Sequence, residues 1–326
     1  MAEPSERPFV AQETLVSGSA LLDSVGTAVA LSNLGNVAFI GTPGKNRLKV
    51  MAKSLCSKSD EPGSEVCWIE IQSLDGGALR SDAQFGGVLS LSGDGTVGLS
   101  TAAGDSARAI LAGSAFIFQS SDGGMWRRVI QLVTDSQPND LFGFAAELSD
   151  DGGSAVVGAP GADSGRLTDC GKAYLFSSAG GSWEQVAELV ADDASNGDRF
   201  GSAVAITADT IFVGAKDSQS GNGAVHVYEL QGNATHPEWP FKQTLPFSNP
   251  WANPAGFGNA IATAGTGLVF VGARACPLSL LFLLSCCRLI EKMDLLRTAW
   301  VLIDSPLLQV PTKWMPAIRE PMLALC

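Results

Sequence analysis

The chain has 326 residues and a net charge of −12, from 21 basic and 33 acidic side chains. That length allows two average domains, and that charge disfavours nucleic acid and anionic membrane as partners. All 37 glycines fall before residue 276, whereas residues 276–326 hold no glycine, 13 leucines and four of the seven cysteines.

In chain order, residues 1–16 lack the basic start and the apolar run of a secretory signal. Residues 9–16 have the composition of a strand and begin 16 residues ahead of Val25 (25−9). From Val25 onward a phrase recurs five times, an aromatic or apolar residue followed by glycine. It opens at Val25-Gly26, Phe85-Gly86, Phe142-Gly143, Phe200-Gly201 and Phe257-Gly258. The glycines are 60, 57, 58 and 57 residues apart (86−26, 143−86, 201−143, 258−201). A period this regular marks a modular fold made from one supersecondary unit.

The copy from Phe142 shows the grammar. Residues 142–149 read as a strand, and Asp150-Asp151-Gly152-Gly153 as a turn, because Asp and Gly accept the backbone angles that tight turns need. Residues 154–160 form a second, wholly apolar strand; 171–176 and 183–190 form the third and fourth. The same pieces fall at 25–32, 37–43, 47–54 and 66–73, at 85–92, 96–102, 113–119 and 125–133, and at 200–207, 210–216, 223–230 and 239–245. The fifth copy offers only 257–263 and 267–273. Four short strands per unit in tandem predict an all-β β-propeller, partial or open, of about five four-stranded antiparallel blades.

The repeat array is assigned to residues 1–275 and a leucine-rich tail to 276–326. Uncharged residues 275–287 would span only ~20 Å as a helix, short of the ~30 Å of a bilayer core, so no membrane span is expected. Leu289, Met293, Leu296 and Trp300 fall at helical spacing, and 288–300 is read as a helix.

Phe142-Gly143 followed by Gly158-Ala159-Pro160 resembles the FG-GAP repeat, from which the N-terminal propellers of integrin α-chains are built. Gly41-Thr42-Pro43, Gly214-Ala215-Lys216 and Gly272-Ala273-Arg274 are close variants, and Ser100-Thr101-Ala102 is a degenerate one. The resemblance covers roughly residues 9–275. It implies an extracellular or cell-surface role in adhesion or ligand binding, through loops on one propeller face. Integrin-type propellers have seven blades, and this chain has four full copies and part of a fifth. The tail departs from the pattern altogether.

The resemblance makes calcium the first cofactor to weigh, since integrin-like repeats hold it in an Asp-rich loop between the first two strands. Calcium wants six to eight oxygens. The equivalent turns, at 33–36, 92–95, 149–153, 208–209 and 264–266, offer at most two carboxylates each, so no cofactor or metal residue is assigned. The loop with Asp192, Asp193, Asn196 and Asp198 lacks the alternate spacing of a calcium loop. Asp23, Asp140 and Asp198 recur two positions before the opening residue, with Asp82 three before Phe85. Repetition of that kind points to a turn or cap role.

No catalytic residue is assigned either. His226 lies in a predicted third strand and His236 in a loop. Gly221-Asn222-Gly223 reads as a turn, not a phosphate loop. Trp126, Trp183 and Trp239 recur near the start of the fourth strand and are read as blade packing. Cys56 and Cys67 flank the polar turn Asp60-Glu61-Pro62-Gly63 and are able to pair in an oxidising compartment; the sequence does not give the connectivity. Asn233-Ala234-Thr235 is a glycosylation sequon, meaningful in a secreted chain.

The expected function is therefore a non-catalytic interaction or adhesion module for a protein or glycan partner. The alternative is a glycan-binding or hydrolytic propeller with carboxylates at its axial channel. Residues 9–16 resemble 183–190 and form a fourth strand without a blade, expected to complete the fifth blade or pack on the first repeat. Removing residues 1–20 should lower the melting temperature in differential scanning fluorimetry; unchanged melting would mark a dispensable leader.

Overall fold

The computed structural model of the protein describes residues 23–58, 61–121, 124–233, 236–246, 256–264, 268–273 and 299–300. Its first sheet runs β1 (Val29–Leu31), β2 (Val37–Thr42), β3 (Arg47–Lys58), β4 (Glu61–Asp75). The second runs β5 (Leu89–Leu91), β6 (Val97–Ala102), β7 (Ser114–Ser120), β8 (Trp126–Leu132). The third runs β9 (Ala145–Leu148), β10 (Ser154–Ala159), β11 (Lys172–Ser177), β12 (Glu184–Leu189). In the fourth, β13 (Phe200–Ile206), β14 (Thr210–Ala215) and β15 (Ala224–Glu229) are followed by a small hairpin, β16 (Gln231–Asn233) with β17 (His236–Glu238), before the outer strand β18 (Phe241–Pro246). The fifth has β19 (Ala260–Ala264), β20 (Leu268–Gly272) and β21 (Ala299–Trp300).

Each of the first four sheets is an antiparallel meander, and hydrophobic cores lie between consecutive sheets. The first strands β1, β5, β9, β13 and β19 neighbour one another in that order, as the inner strands of a propeller do. No shared core joins the fifth sheet to the first among the described residues. The described blades form a partial or open propeller, an arc of successive sheets.

The junction between blades explains the repeated phrase. Phe85, Phe142, Phe200 and Phe257 are all buried. Each of the last three donates its backbone N–H to the preceding blade, Phe142 to Ala112 O at 3.0 Å, Phe200 to Cys170 O at 2.9 Å, Phe257 to Asn222 O at 2.9 Å. The ring turns into its own blade, edge-to-face on a third-strand aromatic: Phe85 on Phe116 at 5.4 Å, Phe142 on Tyr174 at 5.6 Å, Phe200 on His226 at 5.3 Å. Such pairs add ~1 kcal/mol each to the burial of the ring. One residue thus fastens two blades, its backbone to one and its side chain to the other.

Glycine permits the close approach on both sides of most of these junctions. A Cβ on Gly113, Gly171 or Gly223 would lie 2.0 Å from the carbonyl oxygen of the incoming phenylalanine. A Cβ on Gly41, Gly158 or Gly214 would lie 2.0 Å from the carbonyl oxygen of the next blade's phrase glycine. In the first blade Asn46 takes the position before the third strand, in the left-handed region that Asn tolerates (φ 50°). Its Oδ1 accepts the Phe85 N–H at 3.0 Å. In the degenerate copy the register puts Thr101, not Ser100, at the glycine position: Thr101 pairs with Ala115 as Gly158 pairs with Ala173. The buried Ser100 hydroxyl one residue earlier has no hydrogen-bond partner.

Several strand readings change. The first strands read at 25–32, 85–92 and 142–149 shrink to β1, β5 and β9, because the phrase itself bends away to meet the preceding blade. In the first blade β3 and β4 extend to 12 and 15 residues, a hairpin longer than the pieces read at 47–54 and 66–73. His236 lies in β17, not in a loop. The helix read over 288–300 does not hold at its end: Ala299–Trp300 is strand, paired in parallel with β20. The inner blade leaves β20 with an open edge there, and an unpaired edge takes a partner. Residues 9–16 and Cys286-Cys287 lie outside the described residues.

Gly158→Ala should destabilise the protein by ~1–3 kcal/mol, the range for overpacking. Ser100→Ala, which removes an orphaned buried hydroxyl, should leave stability unchanged or raise it by about 1 kcal/mol. Urea denaturation of the two variants checks the contrast; equal losses would show that the close approach at Gly158 carries no steric cost of its own.

Candidate functional site

Each inner strand runs from a phrase at one end of the axis to a tight turn at the other. The turn is held by a hydroxyl seven residues after the opening position: Ser32, Ser92, Ser149 or Thr207. The Ser92, Ser149 and Thr207 oxygens each accept the N–H at the start of the next strand, Val97, Ser154 and Thr210, at 3.0 Å. The same hydroxyls donate to Asp94 at 2.6 Å, Asp151 at 2.6 Å and Asp209 at 3.1 Å. These carboxylates are engaged inside their own turns. Burial opposes ionisation of Asp94, but hydrogen bonds from Ser92 and Thr96 outweigh it and hold the carboxyl below its usual range. Among the described residues no three His, Cys, Asp or Glu side chains gather as metal ligands.

The turns of the first three blades are tied to one another. Asn33 N–H donates to Gly93 O at 2.9 Å, and Gly93 N–H to Asp150 O at 2.7 Å. The Asn33 amide reaches Asp150 Oδ1 at 3.4 Å, across the intervening blade. These bonds hold the three turns together at this end of the axis.

The phrase end is open. A cleft of about 510 Å³ spans the first three blades there. Its walls come from residues entering the inner strands (Ser24, Thr27, Gln84, Val88, Phe144) and leaving the second strands (Pro43, Thr101, Ala103), with Asp82 as its ionisable group. Ser24 and Gln84 take positive φ, 52° and 60°, as do Leu141 and Arg199 at the same position of later blades. Recurrence in four blades makes this backbone conformation a device of the junction, not a mark of the cleft. Phe144 is 42% exposed, with the Lys216 ammonium 5.8 Å from its ring centroid.

The recurrent aspartates divide. Asp140 Oδ2 accepts the Gln137 N–H at 2.7 Å, and Asp198 Oδ2 accepts the Ser195 N–H at 2.8 Å, each closing a linker between blades. Burial pushes both carboxyls above the usual range. Asp23 is buried and paired with Lys45 at 2.6 Å. Asp82 is exposed, 3.6 Å from Arg80, and belongs to the cleft instead. Asp192 and Asp193 stay exposed in their loop.

His226 is buried on β15, with Nδ1 3.1 Å from Thr244 Oγ1, and burial lowers its pKa. It occupies the aromatic position that Tyr174 and Phe116 hold in other blades, against the phrase phenylalanine. Trp126 is in the core between the first two blades, and Trp183 and Trp239 pack on the next two cores. Cys67 is disulfide-bonded; Cys56 stands on the facing strand, opposite Glu65 in the register. The sequon begins at Asn233, the last residue of β16, and its Ala234 and Thr235 lie outside the described residues.

Sequence reading missed one group on the axis. Glu147 is the carboxylate of the inner strands among the described residues. Its Oε2 accepts the Ile206 N–H of the next blade at 3.2 Å. Ser90 makes the same stitch one blade earlier, accepting Leu148 N–H at 3.0 Å. Burial pushes the Glu147 carboxyl up to about 7, helped by the nearby Asp150 and opposed by the Ile206 hydrogen bond. The shared signal was the column five residues after the opening position.

A family model described as the FG-GAP repeat matches residues 126–176 and 183–228. Those residues carry FG-GAP repeats. No protein with a curated description matches its sequence. Among solved structures, candidate 6-phosphogluconolactonases from Bacteroides uniformis and Bacteroides fragilis align over 68% and 67% of this chain, at 14% and 13% identity. The alignments cover 55% and 54% of those chains, with TM-scores of 0.42 and 0.41. The chain thus spans about half the length of these structures, and likeness at this level carries no argument about chemistry.

The raised pKa of Glu147 makes a pH prediction. The folded protein keeps a proton there that the unfolded chain releases near 4.5, so this group's contribution is full below that pH and is lost as pH rises through about 7. Glu147→Gln keeps an acceptor for Ile206. Its melting temperature should match the parent at pH 5 and exceed it at pH 8. A constant offset at both pH values would place the carboxyl in solvent.

Proposed function

We propose that this protein is a non-catalytic binding module whose ligand, a protein or glycan of a cell-adhesion type, seats in the cleft at the phrase end of the arc. The observation that carries this reading is the cleft's composition. It is broad, it is built from three successive repeats, and it combines an exposed aromatic, hydroxyls, an amide and one carboxylate. Such a mixture suits recognition through stacking and hydrogen bonds. The integrin-like resemblance places ligand-binding loops on one propeller face, and this cleft is formed by loops of one face.

The hydrolytic alternative requires two carboxyl groups about 5–10 Å apart at the reacting bond. Glu147 stands alone on the inner strands that are described, and its hydrogen bond to Ile206 engages it in joining blades. Asp82 lies at the far end of the inner strands from the turn that follows Glu147. Both facts favour binding over hydrolysis.

A glycan array and a panel of immobilised extracellular proteins, probed with the full chain, identify the ligand class. Phe144→Ala and Asp82→Asn should each weaken the captured ligand by ~1–2 kcal/mol, about five- to thirtyfold, with melting unchanged. Wild-type affinity in both variants would move the site elsewhere. Hydrolysis of a glycoside panel that Glu147→Gln abolishes would establish the alternative.

A further inference from the structure

Inner strands meet by one pattern at the first and third blade junctions, and in part at the fourth, where Ile261 is the large residue; at the second, Ala146 and Leu148 meet Ser90 instead. The side facing the preceding blade presents large apolar residues four and six positions after the opening residue, as in Leu89 and Leu91 or Val204 and Ile206. The side facing the following blade presents a small residue: Ala30 in the core shared with Leu89 and Leu91, Ala145 in that shared with Val204 and Ile206, Ala205 in that shared with Ile261. The two ends of the arc carry the two halves of this joint, uncovered. At the first blade, Val29 and Leu31 are 60% and 55% exposed, on the opposite face of β1 from Ala30. At the fifth blade, Ala260 and Ala262 of β19 are exposed.

From this pairing we infer that the protein associates head to tail, the first blade of one copy seating on the fifth blade of a second. The occupant is read from the chain itself, because the same large-against-small joint recurs between its own blades. The described ends of one copy share no core, so the joint forms between copies. Such an interface is heterologous: it leaves one free end of each kind and propagates or closes into a ring. This inference does not rest on the ligand assigned to the cleft.

Sedimentation velocity of the full chain, from micromolar to near-millimolar concentration, tests it. Wild-type should shift from monomer to dimer and larger species as concentration rises. Leu31→Asp blocks one end and Ala262→Arg the other, so each alone should stay monomeric. Mixed in equal amounts they should form dimers and nothing larger, because each supplies the end the other lacks. Val29→Lys is a second block on the first blade should Leu31→Asp not fold. Wild-type that stays monomeric throughout overturns the proposal, as would closure of a single copy on itself. Association that survives both single variants, or a mixture that remains monomeric, overturns it equally.

Discussion

The structure depends on how closely two backbones can approach at each blade junction. The phrase phenylalanine brings its own carbonyl to within contact of a glycine in the preceding blade, and its neighbouring glycine does the same one strand further in. A Cβ at Gly158 or Gly214 would collide with the next blade's carbonyl, and the core between those blades would lose packing. Once the approach is made, the N–H of the phenylalanine finds a partner and its ring is buried among the third-strand aromatics. The interblade core, the register of the inner strands and the direction of the arc follow from that one contact.

This constraint was readable in the sequence because it needs particular residues at fixed places. Phe-Gly and Gly-Ala-Pro recur for a steric reason, and so did the count of strands. Strand bounds were less legible. A phrase that is apolar and alternating reads as strand, yet in the second and third blades it turns out of the sheet to meet its neighbour, and only in the fourth does the strand start at Phe200. The length of the β3–β4 hairpin escaped for the opposite reason, since polar residues around position 60 read as a loop whether the hairpin is short or long.

The candidate site was less legible than the fold. Its walls are contributed by residues that each look like ordinary turn chemistry: Ser24, Thr27, Gln84, Thr101. Only the arc brings them together, and no spacing in one dimension encodes a cleft shared by three repeats. Glu147 was visible as a lone acid in an apolar strand, but its meaning comes from Ile206 in the next blade. His226 was readable as a strand residue, and its place as a stand-in for Tyr174 follows once the repeats are aligned. Asp82, one position out of step with the other aspartates, was read with them as a turn or cap residue, yet it lies exposed at the cleft.

The chain of hydrogen bonds through Asn33, Gly93 and Asp150 fixes one end of the axis, while the opposite end has a cleft in its place. The phrase end is tied as well, through the Phe85 N–H on Asn46 and the Phe142 N–H on Ala112. Fastened at both ends of their inner strands, the first three blades hold the cleft walls in place, so a ligand meets a preorganised surface and little ordering opposes its binding.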